Sequence, residues 1–281
     1  MKHTRIDLEM GVNQTFYISP LFDMHRDTPH HDHKALDRIM RERSALPNHY
    51  FIDGGDSDSL LLPTDAKRFR NSAQPEYARG LDSVLNATVK QNVAFYKRYP
   101  KANWAVKGYG NHEVSILKYH NFDIVEKVCE EVGINRGGYS GWISFVVARK
   151  NSNDRKAFTI LYHHGFPTGE AEGGRAWARR YSSTMAGWQV FCYGHNHQLR
   201  AEPSVFTELG VNGYENTYYR YIVNAGTYEK NSPLNDEIGS YTEVKGMGLK
   251  VIGSPLISVT LRRDIANAKR DKMYFDYKVT V

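Results

Sequence analysis

The sequence predicts an α/β fold, a two-layered sandwich of mixed β-sheets flanked by helices. Two observations predict it. Short apolar runs rich in β-branched and aromatic residues alternate with stretches of helical period, the pattern of layered α/β proteins. From Gln198 onward the chain is mostly strand-like, enough to build a second sheet.

Taken in order, Phe16-Tyr17-Ile18 through Leu21-Phe22 reads as a strand. Lys34 to Ala45 reads as a helix with Leu36, Ile39 and Met40 on one side. Tyr50-Phe51-Ile52 is a short buried strand. Glu76 to Lys97 places Leu81, Val84, Leu85, Val89, Val93 and Tyr96 at near-helical intervals and is the longest helix expected. Trp104 to Val106 follows as a strand, and Asp123 to Val132 as a helix closed by Gly133. Trp142 to Ala148 and Phe158 to Tyr162 have the composition of paired strands, and Val190 to Tyr193 is another. Four more strands are expected at Tyr218 to Val223, Leu249 to Ile252, Leu256 to Leu261 and Met273 to Val279. Asn231 to Gly248, rich in Gly, Asn, Asp and Ser, reads as a long surface loop.

At 281 residues, one domain over residues 1–281 with insertions and a β-rich C-terminal part is expected. Hydrophobic residues make up 41% and charged residues 24%, which supports a sizeable core and argues against large-scale disorder. No apolar run is long enough for a membrane helix, and Met1 to Gly11 has no signal core. The two cysteines, Cys129 and Cys192, fall in an expected helix and strand, so a disulfide framework is excluded and a reducing, cytoplasmic compartment is expected. Lys plus Arg exceeds Asp plus Glu by 37 − 31 = 6, which would draw the chain toward polyanions such as nucleic acid at low salt.

The chemistry is concentrated in short motifs directly after the expected strands. They are Asp23-Met24-His25, Gly55-Asp56, Gly110-Asn111-His112-Glu113, His163-His164-Gly165 and Gly194-His195-Asn196-His197. Loops there can converge while the sheets hold them rigid. Together they supply carboxylate oxygens, an amide oxygen and imidazole nitrogens, a donor set that suits Mn, Fe, Zn or Ni better than Ca. One ion would leave donors unused. Two ions about 3.5–4 Å apart, sharing a carboxylate, would use them all and would suit in-line displacement at phosphorus.

In order and spelling these motifs resemble the calcineurin-like metallophosphoesterase superfamily, over roughly Phe16 to Thr227. Tyr50 to Asp56 and the glycine-bearing stretch after His164 are similar to bacteriophage and bacterial members, which carries the expectation of a phage-encoded protein in a host cytoplasm. The resemblance implies an αββα fold and two divalent ions, Mn first, with Ni, Zn, Fe or Mg as alternatives. It implies that Asp23, His25 and His197 hold one ion, that Asn111, His195 and a histidine of the His163-His164 pair hold the other, and that Asp56 bridges. It further implies hydrolysis of a phosphate ester, monoester or diester, by a hydroxide between the ions, with His112 as general acid and Glu113 or another acid orienting its ring. Neighbouring strand residues point to opposite faces, so one of the pair faces inward. The family's habit of a histidine right after the apolar run, followed by one residue and then Gly, favours His163, leaving His164 to contact metal or substrate. Two departures touch supporting residues: Ser59 stands where the family commonly has a second acid, and Arg26 stands where Gly often follows the first histidine.

Other features have plainer readings. His30, His31 and His33 read as a solvated loop leading into the first helix. Arg175, after Gly173-Gly174, is a candidate phosphate-binding residue, balanced against a loop entering a helix with an exposed basic face. Lys67, Arg68 and Arg70, Lys97 with Arg98, and Arg262 with Arg263 read as solvated charges, and Trp177 and Trp188 as core. Expected partners are a phosphate-ester substrate, nucleotide or nucleic acid included, and no membrane. The alternative is a catalytically silent scaffold or nucleic-acid-binding module on the same fold, whose mark would be lost ligands.

Overall fold

A computed structural model describes residues 1–60, 81–166, 172–209, 211, 213–230, 250–264 and 272–281. Two mixed sheets face each other. The first has six strands in the order β1-β5-β6-β7-β9-β8: β1 (Lys2–Met10), β5 (Ser140–Arg149), β6 (Arg155–His163), β7 (Val190–Tyr193), β9 (Glu215–Ala225) and β8 (Leu199–Leu209). The second has five in the order β11-β10-β2-β3-β4: β11 (Lys272–Thr280), β10 (Leu256–Asp264), β2 (Thr15–Leu21), β3 (His49–Asp53) and β4 (Asn103–Lys107).

Within each sheet one set of three strands runs parallel, β6, β7 and β9 in the first and β2, β3 and β4 in the second. Parallel strands end on the same side, so each sheet gathers three strand-to-loop junctions along one edge. The inner faces meet in a dry core that includes Phe16, Ile18 and Ile52 from one sheet and Phe145, Ile160, Tyr162 and Cys192 from the other. Alternation drives this: along β5 every second residue, Ile143, Phe145 and Val147, is fully buried.

Helices cover the outer faces. α1 (His33–Ser44) is capped by Asp32, whose carboxylate accepts from the Ala35 amide, and lays Leu36 and Met40 on Phe51. α2 (Leu81–Arg98) packs against α4 (Ile124–Val132) through Val84, Val93 and Val128. α4 ends at Gly133, in the left-handed region that glycine adopts without strain. α3 (Asn111–His120) begins inside the third motif, and α5 (Glu172–Ser183) packs near Trp188 and Phe191.

Several expectations need correction. The N-terminal segment, for which no element was expected, is the edge strand β1, pairing in parallel with β5. Leu199–Leu209 and α3 were not anticipated as separate elements. The expected strand at Leu249 to Ile252 reduces, among its described residues, to a bridge between Ile252 and Thr227. Residues 76–80 of the longest expected helix, the expected loop over residues 231–248, and Lys67, Arg68 and Arg70 lie outside the described residues. Cys129 and Cys192 are free and buried. No described helix is long and apolar enough to cross a membrane.

Candidate metal centre

The two sets of parallel strands end beside each other, and their C-terminal turns bring Asp23, His25, Asp56, Asn111, His112, His164, His195 and His197 together. Potential ligand atoms of Asp23, His25 and His197 lie within 4.8 Å of one another, as do those of Asp56, His164 and His195 and those of His25, Asp56 and His112. Asn111 joins the second group, its Oδ1 lying 3.1 Å from His164 Nε2 and 2.7 Å from His195 Nδ1. Asp56 Oδ2 is 3.1 Å from His164 Nε2, and its Oδ1 accepts from the His112 amide at 3.0 Å.

Aiming these side chains inward requires tight turns. Asp23, His25, Asp56, His195 and His197 all have φ between 47° and 74°, a region that non-glycine residues seldom occupy and that costs about 1–3 kcal/mol each. Such strain persists only where neighbours over-determine it. Here Glu113 does much of that. Its two buried oxygens accept the amides of Asp56 (2.9 Å), Ser57 (3.0 Å) and Gly110 (2.8 Å), pinning the second motif to the third. The loops then touch so closely that a Cβ on Gly110 would sit 2.0 Å from Asp56 Oδ1. Glu113 therefore does not orient the His112 ring as expected, because both its oxygens are committed to backbone.

The His163-His164 choice is settled by strand parity. Ile160 and Tyr162 point into the core between the sheets, while Leu161 packs on the outer side with the α5 cluster. His164 continues the inward series and is fully buried, with Nδ1 3.1 Å from the Gly54 carbonyl and Nε2 toward Asn111 and Asp56. His163 points outward, packing against Trp177 and Tyr181 and accepting the Gly165 amide at Nδ1. The expectation for His163 is thus reversed. Arg175 is also redirected: its Nε lies 2.6 Å from Glu202 on β8, with Glu172 also near, so its guanidinium is matched by carboxylates. His31, read as solvated, is buried, its Nδ1 2.8 Å from the Met24 carbonyl, where it steadies the first motif.

The electrostatics suit a cation. Burial pushes the Asp23 carboxyl up to about 8, with His164 pulling the other way, and its Oδ1 is buried with no hydrogen-bond partner. An orphaned carboxylate oxygen in a dry site needs a positive partner. Burial, aided by His112, pushes His25 down to about 3. Burial likewise lowers His195 to about 4 and holds His197 well below its usual value. All three are therefore neutral, the form that ligates metals. His25 Nε2 and His197 Nε2 face each other at 3.2 Å, so two ring nitrogens converge on one point. Against the cost of burial, Asp56 draws His164 up to about 10, while His164 and His112 hold Asp56 well below its usual range although burial opposes this; without an ion His164 thus carries a proton, which it would release on ligating one. These donors, three carboxylate or amide residues and four or five imidazoles, could together hold metal ions.

The supporting positions marked in the sequence, Ser59 and Arg26, are joined by others. Ser59 Oγ lies 2.7 Å from His25 Nδ1, and Asp27 grips the Ser59 and Leu60 amides. Thr227 donates to the Asp23 carbonyl at 2.8 Å, and Glu229 Oε2 approaches His197 Nδ1 at 3.7 Å. The same signal that marked the other motifs, polar residues directly after an apolar strand, was present at Thr227 to Glu229. Arg26 bonds Asp58 and Asn92 and stacks on Phe95, tying the first motif to α2.

No protein-family model matches the chain, and no curated protein matches it significantly. Among solved structures, Vps29 of Chaetomium thermophilum aligns over 94% of this chain and 97% of its own, at 11% identity and a TM-score of 0.31. The same protein complexed with a cyclic peptide aligns at 12% identity over 94% of this chain and 96% of its own, with a TM-score of 0.28. Likenesses of this size decide neither fold nor function.

Proposed function

We propose that the chain is a two-metal phosphoesterase of the calcineurin-like metallophosphoesterase type. The observation that carries this reading is the convergence of two neighbouring donor groups, Asp23, His25 and His197 beside Asp56, Asn111, His164 and His195, from five separate strand ends. Asp56 lies against the second group and belongs also with His25, which supports a bridging role for it. Two bound divalent ions would supply Lewis acidity toward a phosphoryl oxygen and lower the pKa of an attacking water. Mn is the first candidate.

The remaining work falls to His112. Its Nε2 is 3.7 Å from Asp56 Oδ2 and its side chain is 17% exposed, whereas His25 and His164 are buried. From that rim it can reach a substrate's leaving oxygen and donate a proton, while its amide bond to Asp56 Oδ1 fixes the turn that presents it. The excess of basic residues favours a nucleotide or nucleic-acid diester among the phosphate esters. Intact donors in every motif support an enzyme over the silent scaffold.

The test is metal content followed by a substrate screen. Purified protein loaded with Mn, Ni, Mg, Zn or Fe is expected to hold two ions per chain and to cleave an aryl phosphate, nucleotide or nucleic acid. Asp56→Asn should lose an ion, and His112→Ala should keep both ions while turnover falls about 10²–10⁴-fold. Less than one ion per chain under replete conditions, or two ions with no cleavage of any class, would sink the proposal.

A further inference from the structure

We infer that Glu229 is the carboxylate partner that positions His197 for metal, an inference that rests on the two-metal reading above. Imidazoles that ligate metals through one nitrogen present an N–H at the other, and that N–H takes a carboxylate, carbonyl or hydroxyl acceptor. Two of the cluster's rings already have one: His25 Nδ1 has Ser59 Oγ at 2.7 Å, and His164 Nδ1 has the Gly54 carbonyl at 3.1 Å. His197 differs. Its Nε2 faces His25 Nε2 at 3.2 Å and Asp23 Oδ1 at 3.7 Å, so Nε2 is the nitrogen on the metal side. Its Nδ1 is buried without a hydrogen-bond partner, and on that side stands Glu229, with Oε2 at 3.7 Å.

The backbone around Glu229 is fixed to the same motif. Its amide donates to Thr227 Oγ1 at 3.1 Å, and that hydroxyl donates to the Asp23 carbonyl at 2.8 Å. Glu229 also bridges His31, and the Lys230 amide bonds the His30 carbonyl. A shift of less than 1 Å in the Glu229 side chain would close the gap to hydrogen-bond range. The carboxylate would then hold the Nδ1–H tautomer, aim Nε2 and raise its basicity. Of the rings with an assigned outer partner, His197 alone would have a charged one, so the ion held by Asp23, His25 and His197 depends on Glu229 and the other ion does not.

The test is competitive titration of the full chain with Zn(II) against a chelating dye, resolving two equivalents, with the unfolding midpoint of the metal-free protein as a structural control. Glu229→Ala is expected to weaken one equivalent about 10–100-fold, leaving the other and the metal-free midpoint nearly unchanged. Glu229→Gln keeps an oxygen acceptor for the Nδ1–H and should lose distinctly less. If Glu229→Ala binds both ions like the wild type, or if Gln and Ala lose the same affinity, the inference is overturned while the two-metal reading stands. If the wild type itself takes up no zinc, the two-metal reading fails and the inference falls with it.

Discussion

Lys107 is the sharpest test of how the second motif is held. Its ammonium has no solvent exposure and lies 3.0 Å from Asp53 Oδ2 and 2.6 Å from Ser57 Oγ. Asp53, also unexposed, accepts from Tyr96 and Ser57 hydroxyls and from the Gly55 amide, so this pair sits directly beneath the turn carrying Asp56. At 3.0 Å and an effective dielectric near 20, the attraction is roughly 5–6 kcal/mol, offset in part by desolvation of both ions. Lys107→Met leaves the Asp53 charge buried and unpaired, and the expected loss of stability is about 3–5 kcal/mol. The double variant Lys107→Met/Asp53→Asn removes both charges and should recover at least half of that loss, giving a clear coupling energy in a double-mutant cycle. Urea unfolding of the four proteins, followed by tryptophan fluorescence and extrapolated linearly, measures it. A single-variant loss below about 1 kcal/mol, or losses that simply add, would refute the claim that this ion pair braces the turn.

Other outcomes follow from the geometry. His164→Ala should abolish binding of one ion, whereas His163→Ala should keep both and cost about 1–3 kcal/mol of stability through lost packing on Trp177 and Tyr181; equal metal loss in both would contradict the parity argument. Gly110→Ala drives a methyl into Asp56 Oδ1 and should disturb metal binding, while Gly133→Ala, at φ 72° with open space around it, should cost only about 1 kcal/mol and leave metal titrations unchanged. His49, buried beside Ser19, is pushed down to about 3 by burial, with Arg43 adding to it. Its folded pKa lies below its unfolded value, so its contribution is full above about pH 6.5 and is lost as pH falls toward 3, reaching about 2 kcal/mol at pH 5. The stability gap between wild type and His49→Gln should narrow by that amount from pH 7 to pH 5; a constant gap in chemical unfolding at the two pH values would contradict it.

Strands buried on both faces and helices with one apolar stripe were legible in the sequence because their patterns are local. Phe51 and Ile52 on β3, Val190 to Tyr193 on β7 and Ile124 to Val132 on α4 belong to this class. Elements whose apolar faces are diluted by charge were not. In β1 the inward residues Ile6, Leu8 and Met10 alternate with Asp7 and Glu9, because an edge strand keeps one face in water. In α3 the first turn is occupied by Asn111, His112 and Glu113, so the signal of a functional motif hides the helix that starts there.

The same division runs through the candidate centre. Donor identity is written in single residues, so Asp23, His25, Asp56, Asn111, His195 and His197 could be nominated without coordinates. Direction and support are not. Whether His163 or His164 turns inward depends on which parity of β6 meets the opposite sheet, and that is fixed by Ile160 and Tyr162 reaching Ile18 and Ile52 across the core. Glu113, Ser59 and Lys107 act on residues 34 to 57 positions away, through contacts that exist only once β2, β3 and β4 are paired. The positive φ values at Asp23, His25, Asp56, His195 and His197 need those contacts, since a turn of that shape left to itself would relax. Side-chain chemistry therefore names the candidate ligands, but the sheet pairing and the buried clamps behind the turns make them converge.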